Sequence, residues 1–295
     1  MHITFHNSFH YGDIHYSRSF VRHTVSEIQK NVPDASFSYL HRNRSDVISD
    51  IAEVREQPNG VNLPNIKGLV ESSPHNISIN TWIGCQEHRF LAEGGCGACF
   101  PANKRMWSEC WGRLNEMNGW EISPPDKWED CLPKIDYTKY HIAGVDKHMK
   151  THQARKRVFV SNGNTLSGQA INFDFTPIIN TLAAENPDCS FYMTNAHGVN
   201  RPNVFSTSDI IQKTTGCDLN ENSYISTFCD VIVGRASGPF AFAGCYENFM
   251  DKNTTMCVFC NNQHEGNWYS DGPCLYKWCL SNNTPLVRET ISNSL

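Results

Sequence analysis

The sequence predicts an α/β protein built as two domains, each with a parallel sheet. Three observations predict this. The C-terminal half alternates short apolar runs with helical patterns. A polar, Pro-containing stretch from Ser123 to His152 separates it from an N-terminal half that alternates less regularly. The 295 residues, 39% of them hydrophobic, are enough for two cores. The expected domains are 1–150 and 151–295.

In the N-terminal half, Ile3–His6 reads as the first strand. Ser17–Gln29 reads as a helix with Phe20, Val21, Val25 and Ile28 on one face. Ser36–Leu40, Gly68–Val70 and Ile77–Trp82 are strand-like. Lys104–Met117 is helix-like, with Met106, Cys110, Leu114 and Met117 spaced for one buried face. Trp107, Trp111, Trp120 and Trp128 fit either a sugar-stacking surface or a core.

The C-terminal half is more regular. Arg157–Val160 is a short buried-strand pattern ending in the turn cluster Ser161-Asn162-Gly163-Asn164. A helix follows from Thr176 as N-cap, with Pro177 at its first position. Strands are expected at Ser190–Thr194, Asn203–Ser206, Asp230–Gly234 and Thr255–Phe259. Helices are expected near Ser223–Phe228, from Pro239 and around Gly272–Leu280. Alternation of this kind implies a parallel sheet covered on both faces.

Composition excludes several classes. The formal net charge is −5 and no basic run exceeds Arg155-Lys156-Arg157, so nucleic acid is not an expected partner. The N-terminus has no basic, apolar leader, and no apolar stretch approaches the about 18 residues of a membrane span. A cytoplasmic location is therefore expected. Thirteen cysteines without a secretory signal read as reduced, mostly buried thiols.

Three places carry candidate chemistry. Gly12-Asp13 follows the first strand, where ligands of open parallel sheets bind, and a carboxylate there suits a general base. An Asp at that point also suits a helix cap. His10 and His15 flank it on what would be the acceptor side. Cys229-Asp230-Val231-Ile232-Val233-Gly234-Arg235-Ala236-Ser237-Gly238-Pro239 reads as strand, turn and helix start. Arg235, Ser237 and Gly238 there would favour a phosphate, although ordinary strand–helix turns use the same residues. Asn162 and Asn164 would face the same ligand, and Glu247 could accept from ribose hydroxyls.

These pieces together resemble the GT-B glycosyltransferases of the heptosyltransferase type, with a second likeness to fucosyltransferase-like members. The residues carrying the likeness are Gly12-Asp13, Asp218-Leu219, Tyr224-Ile225-Ser226, Cys229 to Gly234, and Ser237-Gly238-Pro239. They cover about half of the C-terminal domain and a short N-terminal motif. The resemblance implies two Rossmann-like domains with parallel sheets facing a central cleft, and transfer of a sugar from a nucleotide sugar to a hydroxyl acceptor, a glycan. It places the base on Asp13 and the donor diphosphate on Ser237-Gly238. Arg235-Ala236 stands where the family usually has Asn-Asp, and no His follows the Ser-Gly-Pro turn. No Asp-x-Asp motif occurs, which fits a metal-independent, inverting reaction needing no cofactor.

The rival reading is a zinc-stabilised binding protein. Cys85, His88, Cys96 and Cys99 form a C-x2-H-x7-C-x2-C pattern that could close a tetrahedral site. Cys257 and Cys260 share the C-x2-C spacing but fall in an apolar strand, which disfavours chelation. A dinucleotide fingerprint is lacking, since Gly95-Cys96-Gly97 has no third glycine. So many Cys and His residues leave a cysteine nucleophile unassignable.

Overall fold

The computed structural model describes residues 1–58, 68–85, 89–90, 99–261, 269 and 271–295. The chain forms two compact units, Met1–Lys134 and Ile135–Leu295, which divide inside the polar stretch.

The first unit contains β1 (His2–Asn7), α1 (Tyr11–Asn31), β2 (Ser36–His41), β3 (Val54–Gln57), β4 (Val70–Ser73), β5 (Asn76–Asn80) and α2 (Cys99–Asn118). Its sheet runs β3-β2-β1-β5-β4. All pairs are parallel except β4 with β5. Strand alternation sets the two faces apart. Ile3 and Phe5 point to the core, where Phe20 of α1 meets Phe5 edge-on at 6.4 Å and stacks on Trp107 of α2 at 5.6 Å. Trp111 is also buried and donates to Thr24 Oγ1 at 2.9 Å. Trp107 and Trp111 are therefore core residues, not a sugar-stacking surface. The other face of β1 is polar: His2 bonds Ser38 Oγ at 2.9 Å, and Thr4 donates to Asn76 Oδ1 at 3.0 Å.

Helix α1 begins at Tyr11, six residues before the expected Ser17. The extra turns carry few apolar residues, but Asp13 accepts from the His10 N–H at 3.3 Å and closes the helix start. In α2, Met106, Cys110 and Leu114 are buried as expected, whereas Met117 is 45% exposed near the helix end. The four-residue edge strand β3 carries no alternation long enough to betray it. The expected strand at Gly68–Val70 instead runs Val70–Ser73 and pairs back on β5.

The second unit contains α3 (Ala143–Thr151), β6 (Lys156–Ser161), α4 (Thr176–Glu185), β7 (Cys189–Met193), β8 (Val204–Ser206), α5 (Thr207–Ile211) and α6 (Leu219–Ser226). It continues with β9 (Val231–Arg235), α7 (Gly238–Ala241), α8 (Tyr246–Met250), β10 (Thr255–Cys260), β11 (Leu275–Leu280) and α9 (Thr284–Ser292). Its all-parallel sheet runs β11-β10-β9-β6-β7-β8. Counted from β6, this is the 3-2-1-4-5-6 order of doubly wound Rossmann sheets. Val158, Val160, Phe191, Val231, Val233 and Phe259 form a core with α4 and α9 on one face.

Two expectations fail here. The helix expected at Gly272–Leu280 is strand β11, in register with β10 from Thr255↔Leu275 to Cys260↔Leu280. The last helix starts later, where the Asn283 side chain accepts from Leu286 N at 3.1 Å and Pro285 occupies the first turn. The helix expected from Pro239 is a single four-residue turn. Eleven of the cysteines carry thiols outside any disulfide, and all of these except Cys217 are buried.

Candidate ligand-binding site

In a doubly wound sheet the crevice opens beyond the carboxyl ends of the strands where the order reverses. In the second unit that point lies between β6 and β9. The loops that follow these strands are tied together there.

Arg235, the last residue of β9, is 2% exposed. Its guanidinium donates to the carbonyls of Phe173 and Asn162, and to that of Gly163 at 2.9 Å. It lies 5.3 Å from the Phe173 ring centre and 5.0 Å from that of Phe175. Its Nε is buried without a hydrogen-bond partner among the described residues. Burial lowers its pKa, and the nearby Asp174 carboxylate acts in the opposite direction.

Asn162 is equally committed. Its Oδ1 accepts from Thr194 Oγ1 and from Asn195 N, both at 2.8 Å, and its amide donates to the Asn195 carbonyl at 2.6 Å. It therefore bridges the ends of β6 and β7. Thr165 Oγ1 donates to the Ala236 carbonyl at 3.3 Å, which joins the loops after β6 and β9. Asn172 clips that loop to itself through Thr165 N (2.7 Å) and Thr165 O (3.0 Å).

The Ser237-Gly238 turn is shaped by packing. Ser237 is the N-cap of α7 and its Oγ accepts from Phe240 N at 3.3 Å. Phe240 then lies against β9, where a Cβ on Gly234 would fall 2.2 Å from its Cδ2. Gly234 is thus required for close approach rather than for backbone freedom. A one-turn helix sums few peptide dipoles, so α7 offers little of the field that a longer helix start supplies.

Between these loops lies a cavity of about 390 Å³, within the range of small-molecule sites. Asn162, Asn164, Asp174, Asn195, His197 and Arg235 are among its lining residues. Local sequence patterns point to Asn162, Asn164 and Arg235 but miss Asp174, Asn195 and His197. Asn195 and His197 follow the carboxyl end of β7, so the topological rule would have reached them once the strand order was known. Asp174 carries a weaker signal, an acidic residue just before a helix start. Ser237, Gly238 and Glu247, an exposed residue of α8, are not among the lining residues.

In the first unit, Asp13 is half-buried at the start of α1, and burial raises its carboxyl pKa. His10 is the exposed N-cap of that helix, whereas His15 is fully buried inside it and presents nothing to an acceptor. His6, near the end of β1, is 2% exposed, its ring nitrogens have no hydrogen-bond partner among the described residues, and burial lowers its pKa to about 4. Phe9 and Trp82, from the loops after β1 and β5, stack at 3.5 Å.

Of the zinc pattern, Cys85 is buried, and burial pushes its thiol up to about 12. His88 and Cys96 lie outside the described residues, as does the Cys99 side chain. Among the described residues no group of three or more His, Cys, Asp or Glu side chains is placed to hold a metal ion. No helix among them is long and apolar enough to cross a membrane.

The second unit is thus a doubly wound α/β module with a polar cavity at its switch point. No protein-family model and no curated protein matches the chain. Solved structures of similar fold include the E. coli heptosyltransferase WaaC with ADP, 10% identical, with a TM-score of 0.49 over 100% of this chain and 99% of that one. Another is a glycosyl transferase of family 9 from Veillonella parvula, 9% identical, with a TM-score of 0.46 over 98% of this chain and 88% of that one. A third is the E. coli ADP-heptose LPS heptosyltransferase II, 11% identical, with a TM-score of 0.43 over 95% of this chain and 90% of that one.

Proposed function

We propose that the protein is a glycosyltransferase that moves a sugar from a nucleotide-sugar donor to a hydroxyl of a glycan acceptor. One observation supports this most: the doubly wound second unit has a polar cavity of about 390 Å³ at its switch point, walled by the buried Arg235. Nucleotides bind at such points because strand ends and loop main chain converge there.

In this reading the second unit holds the donor. Arg235, Asn162 and Asn164 form the cavity side, and the Ser237-Gly238 main chain meets the diphosphate. The negative charge growing on the leaving nucleotide is met by the Arg235 field without a metal ion. Asp13 takes the acceptor proton. The acceptor oxygen bonds the anomeric carbon as the bond from that carbon to the phosphate oxygen breaks, which inverts the centre. The burial-raised pKa of Asp13 makes it a stronger proton acceptor than an ordinary carboxylate.

The test is calorimetric titration of the whole protein with ADP, GDP, UDP, CDP and their sugar conjugates, with NAD as a control. Saturable binding of one nucleoside diphosphate and of its sugar conjugate, with none of NAD, supports the reading. No nucleotide binding at millimolar concentration would sink it.

A further inference from the structure

Besides the exposed His197, the cation-bearing side chain that lines the cavity is Arg235, and how its donors are used bears on which end of a nucleotide the cavity takes. Arg235 is its buried cation, yet the guanidinium is spent on the carbonyls of Asn162, Gly163 and Phe173. Its Nε–H is buried without a hydrogen-bond partner among the described residues. Three of its five N–H donors are committed, both of those on Nη2 among them, so neither planar pair of donors is free to grip a phosphate bidentately. Facing the same space is a carboxylate. Asp174 is exposed to the cavity, and its Oδ1 accepts from Thr176 N at 2.8 Å. Its Oδ2 has no hydrogen-bond partner among the described residues. A phosphate placed against this group would meet a like charge, which repels even in water. A group rich in O–H donors would instead find an acceptor with free lone pairs.

We propose that Asp174 is a specificity residue that accepts hydrogen bonds from a vicinal diol of the ligand, so that the hydroxyl-bearing end of the nucleotide sugar occupies this cavity and the phosphates point away from it. This rests on the donor reading above and adds to it an orientation and a discriminating residue. It also moves the ribose-acceptor role from Glu247, which is outside the cavity, to a carboxylate that lines it. The neighbouring Asn164 amide is exposed and hydrogen-bonds no described residue, so it can serve a second hydroxyl. The diol can belong to the ribose or to the transferred sugar.

The experiment uses the whole protein and the tightest-binding member of ADP, GDP, UDP and CDP. Its affinity is compared with that of the 2′,3′-dideoxy analogue and of the matching sugar nucleotide. Each is measured for the native chain, Asp174→Asn and Asp174→Ala, with magnesium and with EDTA. Asp174→Asn keeps an oxygen for Thr176 N and replaces the other, charged acceptor by an amide donor. A site built around a hydroxyl rejects the analogue lacking it, so the native chain should prefer the ribo form about tenfold or more. Both variants should lose most of that preference without weakening the dideoxy form, which identifies the ribose. If the preference lost is instead that for the sugar nucleotide over the diphosphate, the diol is that of the sugar, and the role of Asp174 stands. If neither preference depends on Asp174, the proposal is overturned while the donor reading survives. It is equally overturned if the variants weaken ribo and dideoxy forms alike and only with magnesium, because Asp174 then serves the phosphates through a cation. If no nucleotide binds, both readings fall together.

Discussion

Arg235 donates to the main-chain carbonyl of Gly163 at 2.9 Å, so the last residue of β9 holds the first loop after β6. With the Phe173 and Asn162 carbonyls, it makes the switch point of the second unit a single hydrogen-bonded assembly. Replacing it with Met keeps volume and removes the donors to three carbonyls. The expected cost is about 2–4 kcal/mol of unfolding free energy in urea titration. A loss below about 0.5 kcal/mol, the size of a neutral surface change, would show that water replaces the guanidinium.

Gly234→Ala tests the contact between β9 and α7. The added Cβ would lie 2.2 Å from Phe240 Cδ2, so strand or ring must move. The expected destabilisation is about 1–3 kcal/mol, typical of overpacking. Adding Phe240→Ala should recover part of the Gly234→Ala cost, a coupling that a double-mutant cycle reads directly. Strictly additive effects would place the strain elsewhere.

His6 predicts a pH dependence of stability. Its folded pKa is lowered to about 4 by burial, against an ordinary value near 6.5, so the unfolded chain binds more protons between these values. The contribution is complete above about pH 6.5 and is lost as pH falls toward 4. By pH 5 the loss amounts to about 2 kcal/mol. His148, also lowered to about 4 by burial and by its neighbours His152 and Arg157, acts in the same direction. Chemical denaturation at pH 7.5 and pH 5 should show a smaller pH loss for His6→Asn than for the native chain. Equal losses would mean that His6 is protonated or solvated in the native state.

Asp13→Asn should lower kcat about 10²–10⁴-fold while leaving nucleoside diphosphate affinity unchanged, as expected for a base that touches only the acceptor. Because burial raises its pKa, the acid limb of kcat/KM should lie above the ordinary carboxylate value of about 4. The same shift makes the native state hold this proton more tightly. The group's contribution to stability therefore falls as pH rises from the unfolded to the folded pKa, and Asp13→Asn should flatten that change. Full activity in Asp13→Asn would leave the residue as a helix-start clasp to the His10 N–H.

Much of the fold was legible because its signals are local. Arg157–Val160, Ser190–Thr194 and Thr255–Phe259 read as strands because a buried parallel strand is a short apolar run, and the observed strands agree within a residue or two. Leu275–Leu280 misled because an edge strand with only Cys279 buried shows no such run. Helix α1 was read short because its first turns are held by the Asp13 clasp rather than by an apolar stripe.

The sequence by itself determined the α/β class and the ends of β6, β7 and β10, since each follows from the polarity or backbone of neighbouring residues. Only the tertiary structure decided how the polar atoms at those strand ends are spent. Arg235 and Asn162 read locally as free ligands for an anion, yet their hydrogen bonds go to Phe173, Gly163, Thr194 and Asn195. Asp174, an inconspicuous residue before a helix, keeps an oxygen for the cavity. The reason is that a donor's availability depends on which carbonyls folding brings within about 3 Å, and those partners are set by strand order, not by chain proximity.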